Sequence, residues 1–131
     1  MSLLRPSVRV VDAAALLRTL VRTIDDRRWT DLPALLVPDF RSRLVHTGES
    51  YGRDAWVRLN ADYPGFGRMV IEEVVGSGDR AAARAHVTGT VAGQSVEFEV
   101  AMFATARDGA VAELVEVWAD CGSEPPEGTR P

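Results

Sequence analysis

RAAARAHVTGTV (Arg80–Val91), QSVEFEVAMFATAR (Gln94–Arg107) and AVAELVEVWAD (Ala110–Asp120) follow one another almost without a break. Only Ala92-Gly93 and Asp108-Gly109 separate them, and Asp-Gly between two alternating runs is a strong hairpin signal. Arg68 to Val75, ahead of the Gly76-Ser77-Gly78-Asp79 turn, reads as a further strand. Four long strands joined by tight turns predict an antiparallel meander. Within the third of them, Phe98, Val100 and Met102 alternate with Glu97, Glu99, Ala101 and Phe103. Both sets hold large apolar residues, so both faces of the sheet are expected to meet protein.

Toward the N-terminus the period changes to that of a helix. Asp12 can cap a helix whose Leu16, Leu17, Leu20, Val21 and Ile24 recur at i, i+3 and i+4, ending near Trp29. A second, short helix is predicted from Thr30 or Asp31, with Pro33 in its first turn and Pro38 as its stop. Phe40 to Thr47 reads as a strand, Gly48 to Gly52 as a loop, and Asp54 to Tyr63 as a third helix closed by Pro64-Gly65. Helices gathered ahead of a meander indicate an α+β domain with one sheet face covered. The other face is then a natural homodimer interface. Residues 1–9 read as a flexible leader, 10–121 as a single domain and 122–131 as a disordered tail.

Composition bounds what such a domain does. The chain has 131 residues, enough for one core. Its net charge of -4 and the lack of any basic run argue against nucleic acid and membrane surfaces as partners. All fifteen basic residues are arginine, which excludes Schiff-base lysine chemistry and any lysine-bearing phosphate loop. Cys121 is the single cysteine, so neither an internal disulfide nor zinc-type cysteine spacing exists. The N-terminal Met1-Ser2-Leu3-Leu4-Arg5-Pro6 lacks an apolar stretch of signal-peptide length, and a cytoplasmic location is the default expectation. No Gly-x-Ser-x-Gly elbow or dinucleotide loop is present, and no cofactor is expected.

The order of elements, Tyr51-Gly52-Arg53-Asp54-Ala55 opening the third helix, Arg84-Ala85-His86-Val87-Thr88-Gly89-Thr90, and Val117-Trp118-Ala119-Asp120 ending the last strand resemble the nuclear transport factor 2-like superfamily. Within it, the chain looks like the SnoaL-like polyketide cyclases and the limonene epoxide hydrolases over roughly residues 10–121. The resemblance implies a cystatin-like roll: a cone-shaped, curled antiparallel sheet with three N-terminal helices enclosing a pocket. It also implies acids inside that pocket. Trp118-Ala119-Asp120 matches the Trp-x-Asp of the epoxide hydrolases. Their Arg-x-Asp aligns with Glu99-Val100-Ala101, where both working residues are replaced, and their Tyr-x-Asn has no match among Ser42, Leu44 and His46. Their water-activating set is therefore not reproduced.

Asp120 is the first candidate catalytic residue, because a desolvated carboxyl gains a raised pKa and can exchange protons near neutrality. Glu99 would join it as a second acid if its sheet face lines the pocket; otherwise Glu97 and Glu99 mark a wet face. His46, before the Thr47-Gly48 turn, is a candidate base at the rim. Trp118, Tyr63, Phe66, Phe103 and Leu59 are candidate contacts for an apolar, ring-containing ligand, whereas Trp56 reads as core. His46 and His86 have no carboxylate at ligand spacing, so no metal site is expected. Three readings stay open, the first two being a cofactor-free cyclase or isomerase acting through Asp120 and a non-catalytic dimeric ligand-binding module. A divergent epoxide hydrolase is the third.

Overall fold

The computed structural model describes residues 12–131, so the proposed leader at 1–9 lies outside the described residues. Helix α1 (Ala13–Asp25) begins where the Asp12 carboxylate accepts the amides of Ala14 (3.0 Å) and Ala15 (3.4 Å). Its Leu17, Leu20, Val21 and Ile24 are buried, each contributing roughly 1.5–3 kcal/mol of apolar burial. Thr23 on the same face returns its hydroxyl to the Thr19 carbonyl at 2.7 Å, so burial leaves no hydroxyl unpaired.

The next predicted helix does not form. Only a single 3-10 turn, Pro33–Leu35, precedes β1 (Leu36–Leu44), so α1 and α2 (Arg53–Ala61) are the two α-helices among the described residues. Pro38 explains the difference. Its ring would clash with the carbonyl four residues back, and it drives Val37 into extended backbone. It falls in the stretch between Leu36 and Arg41 where the pairing register of β1 shifts, and there its missing N–H breaks no ladder. The predicted loop at Gly48–Gly52 is β2 (Glu49–Gly52), which pairs antiparallel with β1.

The meander is β3 (Phe66–Ser77), β4 (Arg80–Val91), β5 (Gln94–Arg107) and β6 (Ala110–Asp120). Together the strands make one six-stranded sheet in the order β2-β1-β6-β5-β4-β3. All neighbours are antiparallel except β1 and β6, whose parallel pairing places Leu44 beside Glu116. Register shifts on β3 between Phe66 and Arg68 and between Ile71 and Glu73, and on β6 between Val111 and Glu113, mark bulges that curl these long strands.

α1 lies across the inner face of the meander. The amide of Ala13 donates to the Gly78 carbonyl at one end (2.9 Å). At the other, the Asp25 carboxylate takes Arg68 Nε (2.8 Å), Arg68 Nη2 (2.9 Å) and the Met69 amide (2.9 Å). The inward positions beneath the helix are small: Ala81, Ala83, Ala85, Ala104 and Ala106 are all buried. Past the end of α1 they enlarge to Val87, Val96, Phe98 and Trp118, where the curled sheet leaves an open space. Gly122 to Pro131 forms no helix or strand.

Candidate active site

That space is a cavity of about 440 Å³. Its walls come from the end of α1 (Ile24) and the segment after it (Trp29), from α2 (Trp56, Leu59, Asn60), from the Tyr63–Phe66 turn, and from the far ends of β3 to β6. All three tryptophans of the chain line it. The turn is held tightly against β4: Gly65 has φ +75°, its carbonyl accepts the Thr90 amide at 2.8 Å, and a Cβ there would lie 2.0 Å from the Thr90 oxygen.

Glu116 is the ionisable residue buried in this cavity. It is 5% exposed and, among the described residues, the single charged side chain in the core. Trp56 Nε1 donates to its Oε2 at 3.0 Å and Trp118 Nε1 to its Oε1 at 3.3 Å. Burial pushes its carboxyl above the ordinary range, and the two indole N–H groups pull only partly back. An acid so held exchanges its proton at higher pH than a surface carboxyl, and Glu116 is part of the cavity wall. Trp56 is core, its ring tilted against Phe40 with centroids 5.4 Å apart, and also reaches this site through its indole N–H.

The candidates read from the sequence separate into three groups. Trp118, Phe66 and Leu59 line the cavity; Trp118 meets Phe98 edge-on at 6.3 Å, and Arg27 stacks at 4.9 Å on Phe66. Asp120, His46 and Tyr63 are at its mouth and are exposed. Asp120 shares the face of Glu116 but stands beyond the enclosed part. Beside His46, the Tyr51 hydroxyl bonds the Glu49 carboxylate, which lowers the Glu49 pKa and raises that of Tyr51.

Glu99 and Phe103 are the third group, and both correct the sequence reading. The pairing of β5 puts Val96, Phe98 and Val100 inward, so Glu99 and Phe103 face outward, away from the cavity. Phe103 is 48% exposed. Glu99 instead bonds Arg84 Nη1 at 2.7 Å and His86 Nδ1 at 2.5 Å. The sequence showed no carboxylate at ligand spacing from a histidine, yet His86 and Glu99 are direct cross-strand partners. Cross-strand pairing brings together residues thirteen apart in sequence.

Glu116 is the residue that sequence reasoning passed over. A signal existed: it has the same parity on β6 as Leu114 and Trp118, an acid at an inward apolar position.

The family model of the SnoaL-like domain matches residues 17–114. No curated protein matches the sequence. Among solved structures, a candidate ketosteroid isomerase from Kribbella flavida DSM 17836 is 28% identical, covers 87% of this chain and 82% of its own, and superposes with a TM-score of 0.76. A candidate SnoaL-like polyketide cyclase from Jannaschia sp. CCS1 shares 24% identity over 82% and 87% of the two chains (TM-score 0.66). An LEH-like epoxide hydrolase from M. tuberculosis shares 14% over 82% of each (TM-score 0.71). The last two likenesses show the fold alone. The curled sheet, the two helices and the match across most of the chain establish that it belongs to the SnoaL-like domain family, in the nuclear transport factor 2-like superfamily.

Proposed function

We propose that the chain binds an apolar, ring-containing small molecule in its cavity and that Glu116 moves a proton on it without a cofactor, in an isomerisation or cyclisation. The observation that carries this reading is the buried Glu116 carboxyl, with its raised pKa, in a cavity of about 440 Å³ walled by three indoles. That volume is within the range of small-molecule sites, about 300–1,000 Å³. The likeness to a candidate ketosteroid isomerase supports the same class of reaction, proton transfer next to a carbonyl. In such a step Glu116, ionised, takes the proton from carbon and returns it to another carbon of the same ligand. Asp120, exposed at the mouth, is better suited to steering ligands than to the transfer itself.

A non-catalytic binding module is the second reading. It is favoured by the engagement of both Glu116 oxygens by indole donors, which satisfies the buried carboxyl without any ligand. Either way the outer sheet face is proposed to pair with a second copy of the chain, since Val70, Val75, Phe103 and Val117 are exposed there.

Exchange of α-protons on a panel of cyclic ketones in deuterated water, followed by NMR, tests the enzyme reading. Tryptophan fluorescence reports binding in the same samples, and a cyclic epoxide in the panel reports hydrolysis. Exchange that falls by about 10²-fold or more in Glu116→Gln, with binding retained, is the expected result. Undiminished exchange in that variant removes Glu116 from the mechanism. Binding without turnover across the panel favours the second reading.

A further inference from the structure

The outer face of the sheet carries a cluster that the cavity does not use. His86 on β4 and Glu99 on β5 pair across the strands, with Nδ1 and Oε2 2.5 Å apart. Cys121 follows the last residue of β6, and its amide donates to the Glu97 carbonyl at 3.0 Å, which keeps it in sheet register. Strand alternation then gives Cys121 the outward parity of Val117 and Ala119. One donor atom each from His86, Glu99 and Cys121 lies within 4.8 Å of the other two. We propose that these three residues form a zinc-class divalent cation site, with a fourth position left to water.

The donors select the class of ion. Imidazole nitrogen, thiolate sulfur and one carboxylate oxygen suit zinc, whereas magnesium and calcium take oxygen donors. Bonds of about 2.0–2.3 Å in a tetrahedron place donors roughly 3.3–3.8 Å apart, so small side-chain rotations close the site. The cation takes the place of the hydrogen between His86 Nδ1 and Glu99 Oε2. Glu99 Oε1 keeps its 2.7 Å bond from Arg84, which fixes the carboxylate from behind. The charge of Arg84 is already offset, because Glu72 at 3.0 Å and Glu73 at 3.8 Å flank it. Glu97 and Asp120 add to the negative field at Cys121. All three donors belong to one chain, so the site is complete whether or not a second copy covers this face.

Cobalt(II), then zinc, titrated into the full-length protein tests the site. The expected result is one cobalt per chain with a thiolate-to-cobalt charge-transfer band, displaced by zinc and not by magnesium. Cys121→Ser should abolish the band, and His86→Ala and Glu99→Gln should each weaken zinc binding at least about tenfold. His46→Ala, on the other side of the sheet, should leave binding intact. A cobalt spectrum without the thiolate band overturns the proposal, as does zinc affinity unchanged in Cys121→Ser. Unfolding of each variant, followed by circular dichroism, separates loss of a ligand from loss of the fold.

Discussion

Two carboxyls of this chain are shifted in opposite directions, and the reason in each case is the nearest neighbour. Asp25 ends α1, where the helix dipole disfavours a negative charge. The Arg68 guanidinium and the Met69 amide nevertheless hold its pKa below the ordinary range, the Arg68 bond being the largest cause. A lowered folded pKa contributes stability above the unfolded value of about 3.9, and that stability is lost as pH falls through the folded value. Asp25→Asn should therefore lower the melting temperature at pH 7, and the gap to the parent protein should close in acid. Thermal melts between pH 7 and pH 3 check this, and a pH-independent gap refutes it. Glu116 shows the reverse sign. Its raised folded pKa means that ionising it takes stability away as pH rises above the unfolded carboxyl value. Glutamine there removes the charge but turns an amide N–H toward one indole donor, so one of the two indole bonds is lost.

At the scale of elements, the sheet was the most legible part and the segment between the helices the least. β4, β5 and β6 have the bounds read from their alternation and their turns, because an Asp-Gly or Ala-Gly corner has few ways to fold. The left-handed residues at those corners, Ala92 with Gly93 and Asp108 with Gly109, agree with that chemistry. Residues 30–38 misled because three leucines near a proline fit a short helix as well as a turn and a strand. The strand won through its parallel partner β6, a contact no local pattern announces. The Tyr63–Phe66 turn forms part of the cavity wall, and its docking depends on Gly65. Gly65→Ala should cost on the order of 1–3 kcal/mol through left-handed backbone and the clash with Thr90, and should loosen the wall. A matching drop in denaturation midpoint, with weakened ligand binding, is the outcome to look for; an unchanged midpoint would show that the turn is not held as described.

For the whole molecule, the two sheet faces divide the roles: the inner one holds core and cavity, the outer one the polar cluster and exposed apolar residues. Light scattering should find a dimer, with Phe103→Arg shifting it to monomer while leaving the cavity intact; a parent protein that is monomeric at high concentration removes that reading. Among the described residues no helix is long and apolar enough to cross a membrane. The sequence by itself determined the fold class, the strands of the meander, the family resemblance, and Trp118, Phe66 and Leu59 as cavity residues. Those follow from local periodicity and turn chemistry, which act over a few residues. Only the tertiary structure decided that Glu116 is the buried acid, that Glu99 and Phe103 face outward, and that His86, Glu99 and Cys121 meet. Each of these depends on strand register, and a shift of one residue turns every side chain to the opposite face.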